Sequence, residues 1–189
     1  ISNIAGDVFF QFVVSVEDAK KALISFLENC DTIHTRIILV DGVPMQIIDK
    51  KEACFDIPVC RFKDYDDYVA WANKEAVIPI NITDTLYKLY VIDVDGTVGL
   101  YCVLHHIISD ASSINFLGKY VSMYLKGEKE IPVYSYNEYL LSEEKYKTTK
   151  RYEKDKDYWL SEYKNHNINY LFEANSSNRN ASRKSLAFN

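Results

Sequence analysis

The sequence predicts an α/β fold: a two-layer sandwich in which a mixed, largely antiparallel sheet is flanked by helices. Three features predict it. Runs of β-branched and aromatic residues alternate with stretches of helical period. Asp41-Gly42 and Asp95-Gly96 each lie between two such runs, and Asp-Gly is a strong two-residue hairpin signal that makes the flanking strands antiparallel. Residues 98–104, VGLYCVL, are apolar throughout, as expected of a strand buried on both faces. A wholly parallel, doubly wound sheet does not accommodate the two hairpins.

Taken in order, residues 8–14 (VFFQFVV) read as the first strand. Ser15 follows as an N-cap with Glu17 and Asp18 in the first helical turn. Ala19, Ala22, Leu23, Phe26, Leu27 and Cys30 then fall on one helix face. Residues 33–40 and 43–48 form the first hairpin. Residues 55–62 make a weaker strand, and Pro58 assigns it to a sheet edge. Residues 64–76 carry Tyr65, Tyr68, Val69, Ala72 and Ala76 at helical spacing. Residues 86–94 and 97–104 form the second hairpin, the latter strand central in its sheet. Residues 112–126 form a helix stopped by Gly127. Residues 135–164 are a charged, tyrosine-rich helical stretch that opens on the S-x-x-E capping box of Ser135 and Glu138 and breaks near Thr148-Thr149. Residues 175–184, rich in Ser, Asn and Arg and without period, read as a mobile loop, and 185–189 as the start of a further strand.

With 189 residues the chain has room for one domain or one lobe of a larger one. A hydrophobic content of 48% and a charged content of 26% exclude wholesale disorder. Acidic residues outnumber basic ones, 27 to 22, which is the wrong sign for a non-specific nucleic-acid binder. No apolar run approaches the ~18–20 residues of a membrane span, and no signal peptide is visible. The chain begins at Ile1 and reads as an excised piece or processed product. Cys30, Cys54, Cys60 and Cys102 form no C-x-x-C pair and have no zinc-like spacing to histidine. They read as reduced, mostly buried thiols of a cytoplasmic protein.

Chemistry concentrates in residues 105–113, HHIISDASS. Two histidines end the most buried strand, and a carboxylate, Asp110, follows four residues after the second. Side chains alternate along a strand, so an extended backbone would turn one histidine to each side of the sheet. Strand ends that hand over to a helix are where α/β folds place ligands and catalysts, and a neutral imidazole can accept a proton. On spacing alone a histidine pair at a strand end is more often structural than catalytic. Adjacent histidines on opposite faces are poorly placed to share one metal, and no H-E-x-x-H pattern occurs. Ser109, Ser112 and Ser113 are near, but no G-x-S-x-G elbow is present.

This segment resembles the HHxxxDG signature of condensation domains of nonribosomal peptide synthetases. SNIAGDVFFQF from Ser2 resembles the family's early strand, and HTRIILVDGVPMQII from His34 its strand-turn-strand. DTLYKLYVIDVDGTVGLYCVLHHIISD from Asp84 is similar to the strands leading into the signature. YNEYLLSEEKYKTTKRYEKDKDYWLSEY from Tyr136 resembles the long helix ending in a Tyr-Trp pair, here Tyr158-Trp159. The resemblance covers nearly the whole chain in order. It implies two lobes similar to chloramphenicol acetyltransferase with an active-site tunnel between them. Residues 1–189 would be the N-terminal lobe, without the opening helix and without the C-terminal lobe.

The same resemblance implies an acyltransferase that joins an acyl or peptidyl thioester on an upstream carrier protein to an aminoacyl thioester on a downstream one, both held on phosphopantetheine arms. His106, the second histidine, would be the catalytic group, as base or as the residue that holds the amine. His105, Asp110, Ala111 and Ser113 would support the loop, Asp110 as a structural carboxylate. Its family partner is an arginine at the position of His34; Arg36 lies two residues on, on the same strand face, so the pairing is open between them. Ala111 stands where the motif has glycine, and Ser112 where tryptophan often follows. The isolated lobe would fold without catalysing, and its uncovered apolar surface would favour self-association. Epimerisation domains share the motif. A free-standing acyltransferase using diffusible CoA thioesters shares the H-H-x-x-x-D core, and a lobe that docks carrier proteins without catalysis is the third reading. None of these readings involves nucleic acid or a membrane.

Overall fold

Strand β1 (Asn3–Phe9) is the first element of the computed structural model, which describes residues 3–49, 56–128 and 130–164. Helix α1 (Val16–Asn29) follows, then a single 3-10 turn (Asp31–His34) and the strands β2 (Thr35–Val40) and β3 (Val43–Ile48). Strand β4 (Val59–Phe62), helix α2 (Tyr65–Ala76) and the strands β5 (Tyr87–Val94) and β6 (Thr97–His105) come next. Helices α3 (Ala111–Leu125), α4 (Tyr136–Lys147) and α5 (Lys150–Tyr163) complete the described chain. The chain divides into two compact units, the first ending at Glu143 and the second beginning at Glu144.

In the first unit four strands form one mixed sheet in the order β1-β6-β5-β4. β6 pairs antiparallel with both β1 and β5, while β4 pairs parallel with β5 and is an edge, as Pro58 suggested. Every residue of β6 from Gly99 to Leu104 is buried. One sheet face, with Leu89, Val91, Leu100, Cys102 and Leu104, packs against α1 and α3. The other, with Ile92, Val94, Tyr101 and Val103, packs against Tyr68 of α2. Helices therefore cover both faces, and α2 adds a third layer. The β2–β3 hairpin forms a sheet of its own.

Local chemistry explains the joints. Asp41 (φ 51°) and Gly42 (φ 80°), like Asp95 (φ 48°) and Gly96 (φ 82°), adopt two successive left-handed conformations, the geometry of a two-residue hairpin turn. Ser15 caps α1 by accepting the Asp18 N–H at 3.0 Å, and the buried face of α1 is the predicted one: Ala19, Ala22, Leu23, Phe26 and Leu27. The long C-terminal helical stretch does break at Thr148-Thr149, where Thr149 caps α5. Within the second unit the Tyr146 hydroxyl donates to Asp155 at 2.7 Å.

Two expectations for the first unit change. The first strand is Asn3–Phe9 and not 8–14, because β1 is set by its register on β6, Asn3 facing His105 and Phe9 facing Gly99, and not by where β-propensity is highest. Residues 33–34 belong to the 3-10 turn, and β2 starts at Thr35. The loop read at 175–184 and the strand read at 185–189 lie outside the described residues, as does Cys54.

Candidate functional site

The histidine pair sits where β6 ends. The His105 backbone N–H donates to the Leu86 carbonyl at 2.8 Å, the last bond of the β5–β6 ladder. The chain then folds into a tight turn. The Ile108 N–H and the Ser109 hydroxyl both donate to the His105 carbonyl, at 3.1 and 3.0 Å. The Ile107 N–H donates to His105 Nδ1 at 3.1 Å, so a neutral His105 ring carries its proton on Nε2. His105 is half-buried and engaged by its own turn. His106 is exposed and makes no hydrogen bond among the described residues. The two histidines are thus separated by the turn, and not by strand alternation, because the strand stops between them.

Asp110 is the N-cap of α3. Its Oδ1 accepts the Ser113 N–H at 2.9 Å and the Ser113 hydroxyl at 2.9 Å, while its own N–H donates to Ser113 Oγ at 3.1 Å. This is a reciprocal capping box that closes the loop onto the helix. These bonds from Ser113 are the largest causes that hold the Asp110 carboxyl below the ordinary aspartate range, against the opposing effect of burial, with lesser help from the Ser112 N–H and His106. The expected pairing of Asp110 with His34 or Arg36 does not form. His34 Nε2 donates to the Leu27 carbonyl at 2.6 Å, and Arg36 Nη1 lies 3.7 Å from Asp49 Oδ2. The physical reason is that Asp110 is exposed and already satisfied by the first turn of α3, so it requires no cation. Ala111 begins that helix without a positive φ, so its Cβ is accommodated without backbone strain.

Helix α3 is held close to the sheet. A Cβ at Gly118 would lie 2.9 Å from Val8 Cγ2, and one at Gly6 would lie 3.1 Å from Ile114 Cγ2. On its other side α3 meets α1 through the hydroxyls of Ser25 and Tyr120, 3.0 Å apart. Between these elements lies a cavity of about 300 Å³. Phe26, Ile33, Leu89, Leu104 and Leu117 form its floor and walls. Ile108 and Ser109 of the turn, with Ser112, Ser113 and Phe116 of α3, form the side nearest the histidines, and Tyr134 stands at the rim. Among the described residues no charged group lines it.

A buried carboxylate ties this rim together. Asp31, 8% exposed, accepts the Ser135 hydroxyl at 2.8 Å and the Tyr136 N–H at 2.9 Å, so it caps α4 from the end of α1. Its neighbours Thr32 and Ile33 line the cavity, as does Tyr134 beside Ser135. Sequence reading missed both the cavity and Asp31, because their parts lie about a hundred residues apart and share no local pattern. Among the described residues no group of three or more His, Cys, Asp or Glu is placed to hold a metal, and no helix is long and apolar enough to cross a membrane.

On the opposite sheet face Tyr68 donates to Asp7 Oδ2 at 2.5 Å, and Lys88 and Tyr90 both donate to Glu75 Oε1 at 2.7 Å. Burial raises the Glu75 pKa, but the bonds from Lys88 and Tyr90 outweigh it and leave the carboxyl below its usual range. These groups are paired with one another and serve the packing of α2.

The comparisons with known proteins agree with this architecture. A family model described as Condensation domain matches residues 7–189. The chain is 27% identical over 178 residues to surfactin synthase subunit 1 of Bacillus subtilis (strain 168), covering 86% of the chain and 5% of that protein. It is 27% identical over 149 residues to bacitracin synthase 3 of Bacillus licheniformis, covering 77% and 2%. A variant of the starter condensation domain of rhizomide synthetase superposes with a TM-score of 0.76 at 22% identity, over 88% of this chain and 41% of that one. The condensation domain of the enacyloxin polyketide synthase superposes at 0.74 with 17% identity, over 88% and 34%. The chain thus spans a small part of the synthetases it matches and about two-fifths of the solved rhizomide domain.

Proposed function

Because the chain belongs to the condensation-domain family, we propose that it is the histidine-bearing N-terminal lobe of a domain that forms an amide bond between two carrier-bound thioesters. The observation that carries this reading is the unequal state of the two histidines. His105 is consumed by the turn it stabilises, whereas the His106 ring is exposed and makes no hydrogen bond among the described residues, at the start of a loop clamped to α3 by Asp110 and Ser113.

In the reaction the acceptor's amine nitrogen attacks the donor's thioester carbonyl carbon. The C–N bond forms, the C–S bond breaks, the departing sulfur takes a proton, and the amine loses one. An α-amine has a pKa of about 7.7–8.0, so a useful fraction is already neutral at pH 7. His106 then takes the proton as the C–N bond forms. The substrates arrive on the phosphopantetheine arms of upstream and downstream carrier proteins, which are the expected partners together with the C-terminal lobe. Cys60 and Cys102, which form no disulfide among the described residues, fit a cytoplasmic setting.

The test is His106→Ala in the intact synthetase, assayed by transfer from acyl-carrier to aminoacyl-carrier. The expected result is a loss of ~10²–10⁴-fold with an unchanged melting temperature, since the side chain is exposed. A smaller loss at high pH, where the amine is neutral throughout, identifies proton removal as the role. Wild-type turnover by the variant overturns the assignment. Supplying the donor as acyl-CoA in a parallel assay separates a carrier-dependent enzyme from one using a diffusible thioester.

A further inference from the structure

We propose that Asn3 is a positioning residue for the condensation reaction: its side-chain carbonyl accepts the His105 Nε2–H and so fixes the turn that carries His106. The inference rests on the condensation reading and extends it to a residue on a different strand, outside the histidine motif.

Strand register brings the two residues together. Asn3 and His105 lie directly opposite each other in the β1–β6 ladder. Side chains at opposed positions share one sheet face, with Cβ atoms about 4.5–5.5 Å apart. Alternation along β6 identifies that face. Leu100, Cys102 and Leu104 pack toward α1 and α3, whereas Tyr101 and Val103 pack toward α2. His105 therefore leaves the sheet on the α2 side, away from the cavity that Leu104 lines. Asn3 is on the same side, since it bonds to the end of α2.

Each of the two side chains has one group spent and one unspent, and the unspent groups are complementary. The Asn3 amide donates to the Ala76 carbonyl at 3.3 Å and to the Ile78 carbonyl at 2.7 Å. These bonds use both of its N–H groups and fix which end of the carboxamide is the oxygen. Its Oδ1 is shut off from solvent and has no hydrogen-bond donor. Buried acceptors without a partner are rare in folded proteins, so this one calls for a donor. Across the strand pair, His105 Nδ1 accepts the Ile107 N–H at 3.1 Å, which leaves the proton of the neutral ring on Nε2. That ring N–H makes no hydrogen bond among the described residues. The two groups stop short of a hydrogen bond in this structure, and the separation of an opposed pair is one that side-chain rotation closes.

The consequence passes to His106 through the turn. A ring held at Nε2–H by Asn3 keeps Nδ1 bare to accept the Ile107 N–H, and Ile107 is the residue after His106. A ring turned over, or carrying its proton on Nδ1, would meet the Ile107 N–H with a second donor and open the turn. Because Asn3 is also bonded to the end of α2, the place of His106 is set by α2 and β1 as well as by β6. A displacement of about 1 Å from a change remote from the chemistry can cost about a hundredfold in rate.

The experiment uses the intact synthetase, the variants Asn3→Ala and His105→Asn, and their combination. His105→Asn keeps a side-chain oxygen that can accept the Ile107 N–H and removes the ring N–H. The first readout is steady-state condensation. Asn3→Ala lowers kcat about ten- to a hundredfold with KM within about twofold, His105→Asn alone reproduces that loss, and the double variant is no slower than the slower single one. The second readout is hydrogen–deuterium exchange, which needs no turnover. Peptides spanning residues 105–113 exchange about tenfold faster in Asn3→Ala and gain nothing further in the double variant. A tie from Asn3 to α2 alone would instead loosen peptides spanning 74–80 and leave the turn as it was. Parental kcat in Asn3→Ala, losses that multiply in the double variant, or unchanged exchange over 105–113 overturns the proposal and leaves the condensation reading standing. Faster exchange over 105–113 in Asn3→Ala, from a parent that condenses no donor, upholds the bond from His105 to Asn3 and overturns the catalytic reading.

Discussion

Replacing Asp31 with alanine tests whether one buried carboxylate holds the cavity rim to the rest of the lobe. Asp31 is 8% exposed, and its bonds include those from the Ser135 hydroxyl at 2.8 Å, the Tyr136 N–H at 2.9 Å and, more weakly, the Asn137 N–H at 3.4 Å. Hydrogen bonds to a charged group contribute about 1.5–3 kcal/mol each, and part of that is recovered when water reaches the freed α4 terminus. The expected loss is therefore about 2–4 kcal/mol. For a chain of this size each kcal/mol moves the melting temperature by about 2–4 °C, so Asp31→Ala should melt about 5–15 °C lower. Asp31→Asn keeps one acceptor oxygen and should lose roughly half as much. Urea titration is the assay, with a lower midpoint at an unchanged slope. Combining Asp31→Ala with Ser135→Ala should give less than the sum of the two losses, because they share one bond. If Asp31→Ala unfolds within about 0.5 kcal/mol of the parent chain, the carboxylate does not bind the two segments and the reasoning fails.

Asp110→Ala should lower the melting temperature by a few degrees and leave the chain folded and soluble, because the exposed carboxylate is a cap and not the partner of a buried cation. Its pKa is lowered in the folded state, so its contribution is present above the unfolded value of about 3.9 and is lost as pH falls through the lower folded value. The stability gap between the parent and Asp110→Ala should thus be constant above about pH 5 and close on acidification; a gap that persists unchanged at about pH 2 contradicts the assignment. Gly99→Ala should cost about 1–3 kcal/mol, since the new Cβ would lie 2.8 Å from the Phe9 ring and 2.9 Å from the Val8 carbonyl oxygen, and β1 must yield. A calorimetric trace matching the parent's would refute that packing. Cys102, whose thiol burial pushes up to about 12, should resist a disulfide reagent in the native state and react only on unfolding. Rapid labelling of the folded protein at Cys102 would show that β6 is open to solvent.

Much of the fold was legible because its signals are local. Asp41-Gly42 and Asp95-Gly96 specify their turns through two left-handed residues, and a turn of known length sets strand register. The stripe from Ala19 to Leu27 marks the buried face of α1 before any partner is known. The first strand was misplaced for the opposite reason. VFFQFVV has the strongest β propensity, yet pairing with β6 selects residues 3–9. At the site, the segment from His105 to Asp110 was readable as a strand-to-helix handover. The function of Asp110 was read from resemblance as an ion pair, while its own spacing to Ser113, a D-x-x-S cap, pointed to the bond it makes. The cavity was illegible because its walls come from residues between Phe26 and Tyr134, each ordinary among its neighbours.

The pairing of β1 with β6 has a consequence for synthesis on the ribosome. Asn3 meets His105, and among the described residues no other strand pairs with β1. About a hundred residues must therefore be added after Asn3 before its partner exists, which at about 5–20 residues per second takes roughly 5–20 s. Throughout that interval the nascent chain carries β1 without the strand it will pair with. Its backbone N–H and C=O groups then form an open edge of the kind that pairs with other chains. Helix α1 can form early from its own cap and stripe, but the sheet closes only when β6 emerges. The same strand that delivers the histidines to their turn thus ends the period in which the nascent chain is most open to aggregation, so maturation of the site and protection of the chain are one event.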